Sequence, residues 1–324
     1  MANYPQLDDC SGIWTLKEVN DAVMGGYWRV AGNRMIAAGG NAPSVSDIID
    51  YSGMASDGNF TDFGDLTAAR NLVAGCGNQT RALFGGGQTP TVLNVIDYVT
   101  IATTGDAADF GDLTSTRGQG GAASNSTRGI PHAGAENPDK NEIDYVTIMT
   151  LGNAVDFGDL TTARSPAGCA SPTRALFAGG YPSSNIIDSI ELATTGNAID
   201  FGDLIRADVY TQSCSSSTRG IWNGGQTPAN TDIQFVTIST LGNAIDYGDL
   251  NVARALGFGT SNSVRGFAGG GEGPSATDAV DKFNIPSGGT GTDFGDLTAT
   301  RVNGVAGTSQ SHGGLNDGYQ GTRP

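Results

Sequence analysis

Near-copies of Asp-Phe-Gly-Asp-Leu recur about every 46 residues along this 324-residue chain, starting at Asp62, Asp109, Asp156, Asp200, Asp246 and Asp293. A fixed period of that length means a stack or ring of like units, each too small to bury a core alone. An arginine follows each copy, at Arg70, Arg117, Arg164, Arg206, Arg254 and Arg301. A second arginine row, Arg34, Arg81, Arg128, Arg174, Arg219 and Arg265, opens a short run into glycine, as in Arg81-Ala-Leu-Phe-Gly-Gly-Gly87. A variable loop then leads into Ile96-Asp-Tyr-Val-Thr-Ile-Ala102 or a relative of it.

Each unit reads as four strands: a (71–76), b (81–85), c (95–103) and d (107–113). The c–d link, Thr-Thr-Gly-Asn-Ala or Thr-Leu-Gly-Asn-Ala, supplies the glycine and asparagine that tight hairpins need. Short strands with turns at regular spacing are the signature of propeller blades. The leucine or 3.6-residue periodicity of other solenoids is absent. Strand a is rich in small residues, as in Leu72-Val-Ala-Gly-Cys76, which suits crowding around an axis. Cys76, Cys169 and Cys214 fall at equivalent places there and are expected to be buried free thiols, while Cys10 lies outside the ring. The expected fold is therefore all-β: a six-bladed kelch-like propeller over 34–315, after a segment 1–33 and before a tail 316–324. Residues 302–308 should supply strand a of the first blade and close the ring. Gly25-Gly-Tyr-Trp-Arg-Val30 competes for that slot, and a distorted seventh blade is the alternative.

Charge adds less than its size suggests. The net charge is −16, but roughly half of the 33 acidic residues and most of the 17 basic ones sit at repeating positions. Those charges are architectural, and both arginine rows are expected to be structural, with Arg174 the test case against Tyr181 in a loop. No Lys/Arg cluster stands outside the repeat, so a nucleic-acid footprint is not expected. Neither a secretory leader nor an apolar run of membrane-spanning length is read, so membrane insertion is not expected and synthesis is placed in the cytoplasm.

Residues 1–33 depart from the repeat. Thr15-Leu-Lys-Glu18 is a capping box, flanked by Trp14 and Val19 at staple positions, with Leu16, Val19 and Val23 on one face of a predicted short helix. Such a helix is marginal alone and needs something to dock on. Openings like Ser11-Gly-Ile-Trp-Thr-Leu-Lys-Glu-Val-Asn20, ending in Gly-Gly-Tyr-Trp28, resemble the N-termini of structural proteins of tailed bacteriophages, marine and cyanobacterial ones in particular. The body, with Thr-Arg-x-x-Phe-Gly-Gly and Ile-Asp-Tyr-Val-Thr-Ile, is similar to kelch-like proteins encoded beside phage tail and fibre genes. It departs from the cellular kelch pattern, in which a tyrosine and a tryptophan stand about seven residues apart; here Tyr98 is followed by Phe110. Cellular kelch partners are not carried over. The resemblance implies a virion location and a fibre or tail appendage, trimeric in the fibre case. It also implies contacts to other virion proteins and to a host polysaccharide or receptor. A capsid decoration or vertex protein is the alternative, and a polysaccharide depolymerase the third reading.

No catalytic set emerges, and the chain is read as a non-enzyme. Asp-Phe-Gly repeats too often to be a kinase element and lacks the other kinase motifs. His132 and His312 are the only histidines, and neither neighbours a nucleophile elbow. Neither a copper site nor a sialidase arginine triad is found, and no cofactor or metal is expected. Repeated carboxylates could hold Ca²⁺, but pairing with the repeated arginines or capping turns is the preferred expectation. What varies between units is the b–c loop. Candidate binding residues are therefore Gln88, His132, Glu136, Asp139, Lys140, Tyr181, Gln226, Asn230 and Glu272, with His132 expected in a loop or at a rim. Candidate attachment residues are Trp14, Leu16, Val19 and Val23.

Overall fold

A computed structural model describes residues 34–41, 43–135, 140–226, 228–273 and 275–315. Trp14, Leu16, Val19, Val23, the predicted helix and residues 25–30 lie outside the described residues.

Each repeat makes an antiparallel sheet of strands a–b–c–d. The second blade has strands at Ala74–Gly77, Arg81–Gly85, Val95–Thr100 and Ala108–Asp112. Strand b has the predicted bounds; strand a starts three residues later and ends one later, c ends three earlier, and d is one residue shorter at each end. Blade 1 takes its inner strand from the C-terminal end: Ala306–Ser309 pairs with Arg34–Ala38, Met35 opposite Ser309. The ring thus holds six four-stranded blades, and each inner strand touches the inner strands of its two neighbours.

The core lies between blades rather than within them. Side chains of a strand alternate faces, so Ile36 and Ala38 pack against blade 2 while Met35 and Ala37 pack against blade 6. Every apolar cluster straddles one seam in this way; Phe157 and Leu160 of blade 3, for example, pack with Phe177 and Leu192 of blade 4. The phenylalanine of Asp-Phe-Gly meets the strand-c tyrosine edge-on, Tyr98 and Phe110 having ring centroids 6.0 Å apart. The glycine after it is compelled: a Cβ on Gly64 would lie 2.5 Å from the backbone of Gly105 in the next blade. Asp-Phe-Gly is a device for blade contact.

The two arginine rows do different work, which corrects the expectation that they form one structural class. Five of the six arginines after strand d are buried and reach forward into the next blade. Arg301 meets Asp50 at 2.5 Å, Arg70 meets Asp97 at 2.8 Å, Arg117 meets Asp144 at 2.6 Å and Arg164 meets Asp188 at 2.8 Å. Arg254 pairs more loosely with Asp281, at 3.2 Å. Burial lowers the pKa of Arg70, Arg254 and Arg301, and the facing aspartate opposes that. At four of these seams a threonine completes the lock: Thr67 gives both its N–H and its hydroxyl to Asp97, as Thr298 does to Asp50; at Asp281 the N–H of Asn251 takes that place. The strand-b row is only partly buried, Arg174 for example keeping a quarter of its side chain exposed. Arg81 lies over the Tyr98 ring and donates to Ile148 O of the next blade. Arg174 belongs to this second row; it pairs with the half-exposed Glu191 and donates to Ile238 O.

Candidate binding face

Strands a and b run antiparallel, with Ala74 opposite Gly85, so each inner strand begins beside the end of its strand b. The b–c loops and the entrance to the central channel therefore share one face of the ring. The entrance is a funnel of about 120 Å³. Five residues at its rim, Leu72, Gln119, Tyr210, Leu256 and Asn303, hold left-handed backbone with φ between 51° and 61°. They link blade to blade: Gln119 N–H donates to Leu72 O, Leu72 N–H to Asn303 O, and Leu256 N–H to Tyr210 O. The equivalent in blade 4 is Pro166, which has no N–H to give. Among the described residues no charged side chain lines the funnel, in a chain whose net charge is −16.

At the far end the channel is crossed by the segment 310–315. His312 Nε2 is 2.9 Å from Gly77 O and 3.3 Å from Ser124 Oγ, while its Nδ1 accepts from Gly314 N–H. Those partners fit the neutral Nε2–H tautomer, and burial holds its pKa down at about 4. Around it, serine hydroxyls tie inner strands together, Ser261 to Ser215 O and Ser309 to Ser261 O.

The predicted binding residues divide. Gln88 sits in a two-stranded ribbon with Thr91–Val92, its amide donating to Pro90 O. Lys140 donates to Ser115 Oγ at 2.8 Å. Gln226 and Glu272 are exposed. Tyr181, expected in a loop, instead ends strand b of blade 4, paired with Ser165; it is 41% exposed and stacks on Tyr210, rings 8° from parallel with centroids 6.5 Å apart. Asn230 Nδ2 donates to Asp208 at 2.8 Å. Glu136 and Asp139 lie outside the described residues. His132 is a correction: it is fully buried within strand b of blade 3, not at a rim. Glycine makes its room, since a Cβ on Gly120 would fall 2.2 Å from the imidazole. Its Nδ1 lies 2.9 Å from Gly134 O, and Nε2 has no partner among the described residues. Burial first, then the Arg117 charge, push its pKa down to about 3.

Sequence reasoning missed the seam between blades 4 and 5. Counting from each Asp-Phe-Gly, the lock arginine is eight residues on at Arg70 or Arg117, but from Asp200 that position is Asp208. Arg206 is therefore not a member of the buried row. It is partly exposed and donates to Asp208, 2.8 Å away, and pairs with Asp232 at 3.3 Å. The facing aspartate has become Gln234 and the threonine Ile205, whose N–H still donates to the Gln234 side chain at 2.8 Å. All three lock residues changed together. The signal was in the sequence as a break of register at Asp208.

The buried aspartates pair with arginines, and among the described residues no cluster of potential metal ligands occurs. Cys76, Cys169 and Cys214 are free and buried; burial raises Cys76 and Cys169 to about 12, so they are inert as nucleophiles. No helix among the described residues is long and apolar enough to cross a membrane. No protein-family model matches the chain, and no curated protein matches it.

Proposed function

We propose that this protein is a non-enzymatic structural protein of a tailed-phage virion, a fibre or tail appendage whose propeller binds a host surface through its b–c loop face. The observation that carries the binding reading is the division of labour in the ring. Five buried ion-pair locks and six straddling cores fix the blades, while the variable loops and the uncharged funnel share one face. A rigid scaffold presenting variable loops is a recognition architecture. The virion setting rests on the resemblance of residues 11–28 and of the repeat body to phage structural proteins. In this reading Trp14, Leu16, Val19 and Val23 attach the ring to the particle.

A capsid decoration or other assembly role has one observation in its favour. Met149, Leu151, Val155, Ile199, Leu241 and Ile245 are each at least half exposed and cluster on the c–d turns of blades 3 to 5. Their counterparts in blade 2 include Ala102, Thr104 and Ala108. That arc suits packing against another virion protein, on the face opposite the funnel. Antibody raised against the ring and imaged on purified particles separates the readings. Labelling at tail or fibre tips is expected. Labelling spread over the head supports the decoration reading, and unlabelled particles overturn both.

A further inference from the structure

The departures from sixfold repetition are not scattered. At the seam between blades 4 and 5 the lock has lost its arginine, aspartate and threonine together, becoming Asp208, Gln234 and Ile205. There, too, stand the stacked rings of Tyr181 and Tyr210. A ring fold gains nothing in rigidity from replacing a buried ion pair at a single seam, so the change points to another use.

We propose that this seam is a binding site for an uncharged saccharide unit, a deepening that rests on the host-surface reading above. The chemistry fits that class. A pyranose presents an apolar C–H face, which packs on exposed aromatic rings, and an edge of hydroxyls, which needs donors and acceptors side by side. Tyr181 is exposed enough to take the face, and Tyr210 backs it at the funnel rim. Beside them Asp208 is an acceptor already oriented by Arg206 and Asn230. Gln226, whose N–H donates to Val209 O, holds the next loop against the same segment. The buried carboxylate thus holds the partly exposed guanidinium and amide in one network, a prearranged polar edge. Among the described residues the funnel adds no charge, and the cation beside the rings, Arg206, is already shared by two carboxylates, which disfavours an anionic sugar. Ser165 strengthens the assignment: it is opposite Tyr181 in the sheet, lines the funnel, is buried, and its Oγ has no partner among the described residues.

The test is saturation-transfer NMR on the full chain with glucose, galactose, mannose, N-acetylglucosamine and their β1,4-linked disaccharides, and with galacturonate as the charged control. At least one neutral sugar is expected to receive saturation, with binding at least tenfold weaker in Tyr181→Ala. Tyr210→Asn, which tolerates the left-handed backbone, should do the same while melting within a few degrees of the parent. Leu72→Asn, at the equivalent rim position of another seam, should leave binding unchanged. Absence of transfer to any neutral sugar, or equal loss in Leu72→Asn, overturns the assignment. Host binding is read separately, by adsorption of the labelled ring to host cells. Adsorption without sugar binding leaves the recognition reading standing and removes this site; sugar binding without adsorption does the reverse.

Discussion

Five seams of the ring are closed by a buried arginine and aspartate, and the seam between blades 4 and 5 is not. At the ordinary seams, Arg301 and Asp50 are both shielded from solvent and the carboxylate takes Thr298 as well. At the exceptional one, Arg206 is partly exposed and the acceptor facing Ile205 is a neutral amide. The difference teaches that the lock is not required six times for closure. Apolar packing persists where the lock is gone: Phe201 and Leu204 still meet Trp222 and Val236 across that seam. Hydrophobic burial closes the ring, and the ion pairs fix how neighbouring blades are set.

The largest expected effect comes from breaking an ordinary lock. Arg301→Met strands the Asp50 carboxylate in an apolar seam, and removing one partner of a buried pair costs about 3–5 kcal/mol. Gln234→Ala at the exceptional seam loses a neutral hydrogen bond, about 1 kcal/mol. Arg174→Ala also belongs with the small effects, about 1 kcal/mol, because its partner Glu191 is half exposed. Urea unfolding midpoints measure all three. Similar losses for Arg301→Met and Gln234→Ala would erase the distinction between seams.

How much of this could be read beforehand follows from what the repeat averages. The blade count, the closing strand and the burial of Cys76, Cys169 and Cys214 were legible, because each depends on what all units share. The split between the arginine rows was not, since both carry the same side chain and only the sheet shows which one points into a seam. Tyr210 was overlooked because it follows the shifted Asp208, where Arg206 imitates the expected arginine at the wrong spacing. His132 was misplaced for a different reason. It occupies the slot of Gly85, and only the facing Gly120 makes room for an imidazole inside the sheet.

That histidine gives the next effect, at the seam between blades 2 and 3. Its folded pKa of about 3 lies below the ordinary 6.5, so the folded chain resists a proton that the unfolded chain accepts. The stability it permits is therefore complete above about 6.5 and is lost as pH falls from there toward 3. One proton changes the slope by about 1.4 kcal/mol per pH unit inside that window. His312, held at about 4, adds a second contribution over the upper part of it. Blade 5 already carries Asn223, buried, at the slot of His132. His132→Asn should therefore fold and flatten the dependence of stability on pH between 6 and 4 by nearly one proton. An unchanged slope would show that the imidazole is reached by solvent.

The smallest expected effect is the most direct on the comparison. Ile205→Thr, Asp208→Arg and Gln234→Asp together rebuild at the exceptional seam the lock that four of the other five carry in full, the fifth having Asn251 in place of the threonine. If Asp208 and its neighbours are kept for binding, the natural seam gives up some stability for function, as binding sites commonly do. The triple variant should then gain about 1 kcal/mol in urea unfolding and lose its response to neutral sugars. The gain is small because a buried ion pair returns little over a well-packed neutral seam once its desolvation is counted. It also has to displace the existing contacts of Asp208 with Arg206 and Asn230. Each single substitution should be worse than the triple: Asp208→Arg alone buries a guanidinium facing an amide, and Gln234→Asp alone places a second carboxylate beside Asp208. A triple variant less stable than its single members would mean that the natural network is itself the best closure of that seam, and the contrast between the seams would then concern stability, with no link to a ligand.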